Sequence, residues 1–284
     1  MNFKILKHYI DSHQHFWKYE PSVYRWIDDS MQVLKHDFLP EDLEPVLEEN
    51  QFQACVAVQA LTKESENDFL LKCARDHDFV KAVVGWVNLY DENVEERLEF
   101  YSDDKNFKGL RHFIQSEPSG FMGRKDFRHG ISVLGKFELT FDLLLSQNQL
   151  GEAIKLVKEY PNQLFVLDHM AKPFFSEAVN PEWKKNIEEL GKMENVYCKI
   201  SGRVCETENF KWEKRDFDPY LNIVFEAFGS HRLMFGSDWP VCRLSCEYDK
   251  VLSIIEGYLK PFSKNEQQLV MGKNAADFYK IELS

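Results

Sequence analysis

Short apolar segments recur along the whole chain, with amphipathic stretches between them. The segments are "YIDSHQHF" from Tyr9, "ACVAVQAL" from Ala54, "VKAVVGWVNL" from Val80 and "FKGLRHFI" from Phe107. Then come "ELTFDLLL" from Glu138, "LFVLDHM" from Leu164, "VYCKISG" from Val196 and "RLMFGSDWP" from Arg232. Most are rich in Val, Ile, Phe or Leu and bounded by polar or Gly/Pro punctuation, which predicts strands. Several are apolar on both faces instead of alternating, the pattern of parallel strands covered by helices.

The stretches between them carry helical periodicity. "LPEDLEPVLEEN" opens with Pro40, suited to a first turn, and places Leu43, Val46 and Leu47 on one face. "SENDFLLKCARDH" groups Phe69, Leu70, Cys73 and Ala74, and "LGEAIKLVKEYP" stops at Pro161, which cannot continue a helix. "YDKVLSIIEGYL" repeats the pattern. Ser263 and Glu266 stand in capping-box spacing ahead of a last helix through "AADFYKI". Most strand starts are separated by about the ~30 residues of a βαβ unit. Eight strands alternating with helices predict an α/β fold, a single-domain (β/α)8 TIM-type barrel spanning residues 1–284. An open doubly wound sheet is the competing architecture, but no G-x-G-x-x-G follows any strand. The first interval is the longest and gathers Trp17, Tyr19, Tyr24 and Trp26. In a barrel this loop overhangs the C-terminal mouth, either as a satellite cluster on the core or as a wall for a ligand.

Composition narrows the partners. A 44% hydrophobic fraction supports one large core, and 29% charged residues cover an ordinary surface. The net charge of -12 repels phosphate backbones and anionic lipid, so nucleic acid and membrane are poor partners. It does not disfavour a small neutral or weakly anionic substrate. The six cysteines, Cys55, Cys73, Cys198, Cys205, Cys242 and Cys246, form no C-x-x-C pair and suit a reducing compartment. No window approaches ~18 consecutive apolar residues. The opening "MNFKILKHYI" lacks a signal-peptide pattern, so the reading is cytoplasmic.

The chemistry lies at the predicted strand ends, which in a barrel converge on one mouth. Strand one delivers His13 and His15 on one face, with Gln14 on the other. Strand four ends in Arg111 and His112; these alternate, so one of them faces the helices. Strand five carries Asp142. Strand six ends in Asp168 and His169, of which His169 is taken as the inward one. Strand seven carries Lys199 and Ser201, followed by Arg203, and strand eight ends in Asp238 within "GSDWP". Unpaired burial of such groups costs a few kcal/mol each, so they need partners or a task. A lone strand histidine is usually structural, but H-x-H at a strand end points to metal or acid–base chemistry. Arg111 is either a bridge between carboxylates or a site residue, and Lys199 is a candidate partner of Asp142 or Asp238. An acid at the end of an apolar strand, just before a Pro turn, reads as catalytic. His8, His36, His77, His129 and His231 lie in charged or loop contexts and read as surface residues.

"DSHQHFW", "GLRH", "VLDHMAKP", "YCKISG" and "LMFGSDWPVC" together resemble the amidohydrolase superfamily, in its lactonase-like branch. That branch holds L-fuconolactonases, L-rhamnonolactonases and 2-pyrone-4,6-dicarboxylate lactonases. The resemblance runs from about Tyr9 to Tyr279. It implies a carboxylic-ester hydrolase of carbohydrate catabolism that opens a small-molecule sugar lactone. The alternatives are a pyrone-dicarboxylate lactonase or a metal-dependent decarboxylase of the same superfamily. It implies that Asp238 activates water, with His13, His15 and His169 as catalytic partners. Arg111 and Lys199 would assist them by polarising the carbonyl. Arg111, Lys199, Arg203, Asp142 and Trp26 are the expected substrate contacts. The resemblance also implies a metal set of His13, His15, His169 and Asp238. Asp142 stands where a binuclear member needs a histidine, so at most one zinc-like divalent cation is expected, and it is read as optional. No organic cofactor is expected.

Overall fold

The computed structural model describes residues 8–175 and 178–283. Eight parallel strands lie in sequence order: β1 (Tyr9–Gln14), β2 (Phe52–Val58), β3 (Val80–Gly85), β4 (Phe107–Phe113), β5 (Thr140–Leu144), β6 (Phe165–Leu167), β7 (Val196–Ile200) and β8 (Leu233–Phe235). The barrel closes at its C-terminal end through the parallel bridge Gln14–Trp239. The His15 amide donates to Trp239 O at 2.7 Å, and the Asp238 amide to His13 O at 2.8 Å. Observed starts fall within two residues of the predicted ones. The largest shifts are at β2, which begins two residues early, and β5, where Glu138 takes a left-handed φ of 56°.

The outer helices are α1 (Pro40–Glu49), α2 (Glu64–Asp76), α3 (Val94–Ser102), α4 (Lys125–Leu134), α5 (Leu150–Glu159), α6 (Pro181–Gly191), α7 (Asp218–Phe228) and α8 (Tyr248–Leu259). The last predicted helix is resolved into α9 (Lys264–Gln268) and α10 (Asn274–Tyr279), joined by a π-helical turn. The Ser263–Glu266 capping box is present, and Pro40 opens α1 as its composition requires.

Strand alternation sorts side chains into two cores. Cys55, Ala57, Val83, Phe141, Leu143, Phe165, Cys198 and Phe235 point outward into the helix-covered shell. Ile10, Ala54, Val56, Val58, Ala82, Val84, Val166 and Met234 point into the barrel. Ala275, Phe278 and Tyr279 of α10 close this inner cluster. At the level of Asp142 and Lys199 the filling turns from apolar to charged, and both are fully buried. Among the described residues, no helix is long and apolar enough to cross a membrane.

Phe278 is 2% exposed and contributes a large aromatic surface to the inner cluster. Phe278→Ala is expected to lower unfolding free energy by roughly 3–5 kcal/mol, the usual cost of emptying a buried Phe position. Urea denaturation of the two proteins measures it.

Candidate active site

The polar layer is built around Lys199. Its Nζ lies 2.5 Å from Asp142 Oδ2, 3.3 Å from Asp168 Oδ1 and 3.2 Å from His13 Nδ1. The Tyr279 hydroxyl reaches both Asp142 oxygens, at 3.1 and 3.0 Å, tying the C-terminal helix to this layer. Arg111 donates to His13 Nε2 at 3.2 Å and to Asp168 Oδ2 at 3.3 Å. Its other terminal nitrogen donates to Gln59 O, and Gln59 Nε2 donates back to Arg111 O at 3.2 Å. Arg111 is therefore the inward residue of its pair. His112 faces the helices, stacked on Phe121 at 5.1 Å with Nε2 2.8 Å from Glu117.

Both Asp168 and His169 point inward, where alternation allowed one. Asp168 follows Val166 on the inner face, so it is the residue that the strand itself directs inward. β6 ends at Leu167, and His169, Met170, Ala171 and Lys172 all take positive φ, between 50° and 59°. This left-handed run turns the His169 imidazole back over the barrel, where its Nδ1 meets Ser201 Oγ at 2.8 Å. Gly202, with φ 66°, makes room for it: a Cβ there would stand 2.5 Å from that nitrogen.

Above this layer, the two ends of the chain meet. Asp238 Oδ1 lies 3.3 Å from His15 Nε2 and 3.8 Å from His13 Nε2. The rings of His13 and His15 are 5.0 Å apart, and those of His13 and His169 are 4.6 Å apart. Asp11 Oδ1 accepts from the His13 and Ser237 amides and fastens β1 to the strand-eight loop. Gly236 allows the approach, since a Cβ there would lie 2.6 Å from His13 Cβ. Burial alone would raise the Asp238 carboxyl, but His169, the His15 hydrogen bond and His13 hold it well below the usual carboxylate range. Burial pushes His13 well below its ordinary value and His169 down to about 4, so both rings are neutral near pH 7.

One ligand atom each from His13, His169 and Asp238 lie within 4.8 Å of one another. His15 stands beside this group. Its Nδ1 donates to Val58 O at 2.7 Å, and its Nε2 lies 3.3 Å from Asp238 Oδ1. Neutral imidazoles and an ionised carboxylate are the ligand forms that a divalent ion of the zinc type takes, so the donor set fits one ion. A second group, His13, Asp142 and Asp168, already surrounds a cation, the Lys199 ammonium.

A cavity of about 370 Å³ opens over the site. His15, Arg111, His169 and Asp238 form its polar floor. Trp26, Phe113, Leu144 and Phe210 stand among its apolar walls, and Lys172 and Glu206 also line it. Trp26 is 37% exposed and faces this cavity, whereas Trp17 is fully buried against Phe38 and Tyr24. The first loop thus supplies both a core cluster and a wall. Asp142 and Lys199 lie beneath the floor and are not among the lining residues. Arg203 is not among them either. It is 1% exposed, its Nη1 donates to Ile200 O, and burial lowers its pKa to about 9.

The family profile described as amidohydrolase matches residues 10–281. The chain belongs to the amidohydrolase family. It is 35% identical to an L-fucono-1,5-lactonase of Burkholderia multivorans, over 96% of each chain. It is 32% identical to an L-fucono-1,5-lactonase of Burkholderia ambifaria, again over 96% of each. A crystal structure of a Burkholderia multivorans amidohydrolase with bound zinc superposes at a TM-score of 0.93. It is 35% identical, with 96% of this chain and 99% of that one covered.

Sequence reasoning missed several groups that position this amidohydrolase's site: Asp11, Gln59, Glu66 and Tyr279. Glu66 had a readable signal, since it shares the apolar face of α2 with Leu70 and Cys73 at helical spacing. Its carboxyl accepts from the Ala60 and Leu61 amides at 2.8–3.1 Å, fixing the loop that carries Gln59 and Ala60. Burial raises Glu66 from 4.5 to about 8, against those amides and Arg111. The folded state therefore keeps this proton longer than the unfolded chain does. Its contribution to stability is full below pH 4.5 and is lost as pH rises through about 8. Urea midpoints measured from pH 4.5 to 9 should fall less with pH in Glu66→Gln than in the wild type.

Proposed function

We propose that this amidohydrolase opens a sugar-acid lactone of the L-fucono- or L-rhamnono-lactone type to the aldonic acid. The observation that carries the reading is Asp238, a carboxylate held ionised among His13, His15 and His169 at the floor of a ligand-sized cavity. A buried base beside neutral imidazoles suits attack of water on an activated ester. The lactonase relatives supply the substrate class.

Asp238 takes a proton from the attacking water as its oxygen adds to the lactone carbonyl. Arg111 stabilises the oxyanion from the cavity floor, with the site imidazoles beside it. The C–O bond to the ring oxygen then breaks, and that oxygen takes the proton from Asp238 and leaves as the alcohol. Lys199 acts through His13 and Asp168 from below, and Asp142 acts through Lys199. Trp26 gives the sugar ring an apolar face. Arg203 supports the loop after β7 from its buried position. His13, His169 and Asp238 would hold one divalent ion of the zinc type, with His15 at its edge. Such an ion supplies Lewis-acid polarisation of the carbonyl and a lower pKa for bound water. We take this ion as an aid to the reaction instead of a requirement, the barrel as one domain over the whole chain, and the cytoplasm as its setting.

Acid release from L-fucono-, L-rhamnono- and L-galactono-lactones, followed with a pH indicator, tests the substrate class. Release from 2-pyrone-4,6-dicarboxylate alone would overturn it. Asp238→Asn should lose roughly 10²–10⁴-fold in kcat, the usual contribution of a general base, while a cooperative melting curve shows that it still folds. Dialysis against a chelator should leave measurable turnover, and added Zn²⁺ should raise it. Elemental analysis before and after dialysis supplies the metal content.

A further inference from the structure

Lys172 and Glu206 come from different loops, after β6 and after β7, and meet at the cavity with Nζ 2.9 Å from Oε1. Their side chains are 24% and 27% exposed. Partly exposed ion pairs contribute little stability, so fold energetics do not explain this one. The charges around it give it a chemical meaning. Arg111, the other lysine or arginine of the lining, lies at the floor beside Asp168. The lining's anions are Glu206 and Asp238, and much of the remaining wall, including Trp26, Phe113 and Leu144, is apolar. Beside this pair, a ligand carboxylate meets a cation that is already paired and the Glu206 carboxylate. A hydroxyl, in contrast, accepts from an ammonium and donates to a carboxylate, so a polyol satisfies both halves of the pair.

We propose that the Lys172–Glu206 ion pair is the specificity-determining element of this cavity, binding the hydroxyls of a neutral polyhydroxylated lactone and rejecting lactones that carry a carboxylate. The proposal rests on the lactone-hydrolase reading and concerns which lactones that site accepts. Discrimination then comes from two sources, hydrogen bonds lost by a substrate without hydroxyls and repulsion of an anionic one. The pair also joins two loops that a backbone bond links as well, the Phe175 amide donating to Glu206 O at 3.5 Å. A test must therefore separate recognition from tethering.

The experiment compares kcat/KM of the full chain, Glu206→Gln and Lys172→Met on L-fucono-lactone, unsubstituted δ-valerolactone and 2-pyrone-4,6-dicarboxylate. In both variants the preference for L-fucono-lactone over δ-valerolactone should fall at least about tenfold, carried mainly by KM, as for a lost charged hydrogen bond. Glu206→Gln should also raise the use of the dicarboxylate relative to δ-valerolactone. An equal loss on all three lactones assigns the pair to tethering and overturns the proposal, as does an unchanged preference. A wild-type protein that hydrolyses lactones while the variants keep its preferences removes this inference alone. A wild-type protein inactive on every lactone removes the lactonase reading with it. Melting curves show that each variant is folded, and Lys172→Met carries the test should Glu206→Gln unfold.

Discussion

A lysine ammonium with no solvent exposure sits inside the barrel, and the rest of the site is arranged around that charge. An isolated buried ion is prohibitively costly, and even a paired one gains only when geometry and further hydrogen bonds compensate for desolvation. Lys199 finds Asp142 on one side and Asp168 on the other, with His13 between them. Two carboxylates so close require more than one cation, and Arg111 supplies the second through Asp168. Burial pushes Asp142 up to about 6 despite Lys199, with Asp168 adding to the rise, while the cations around Asp168 hold it ionised. The network orients His13, and through His13 it sets the position of the chemistry above it.

The barrel is layered for this reason. Small and medium apolar side chains fill its lower part, where α10 closes it, and the charged layer lies above them. Tyr279 joins the two by donating to Asp142 from the C-terminal helix. Above the charged layer, backbone geometry departs from the strand pattern. His169 and Asp238 both take left-handed φ, 54° and 60°, conformations that non-glycine residues hold only under strong local constraint. Amide bonds to Asp11 supply that constraint on the strand-eight side, and the space over Gly202 permits it on the strand-six side.

Much of this was legible in the chain. The doubly apolar segments and their spacing specified parallel strands with covering helices, and the eight starts lie close to the observed ones. H-x-H on one face and an acid ending the last strand pointed to two halves of a candidate site, and the fold brings these residues together. The Asp168–His169 pair shows the limit of such reading. Period-two alternation selects one residue of a neighbouring pair only while the backbone stays extended, and here it turns left-handed at the second residue. Asp142, Lys199 and Arg203 show another limit. Alternation states that a side chain points inward, but not how deep it lies below the mouth.

By itself the sequence determined the strand count, the alternation of faces along each strand and the set of polar groups delivered to one end of the barrel. These follow from local periodicity, which each segment carries independently of the others. Only the tertiary structure decided which polar groups neutralise one another and which remain to face a substrate. Depth, pairing and exposure depend on barrel closure, on loops crossing its mouth and on the C-terminal helix reaching its core. Those contacts join residues far apart in the chain, and no local pattern encodes them.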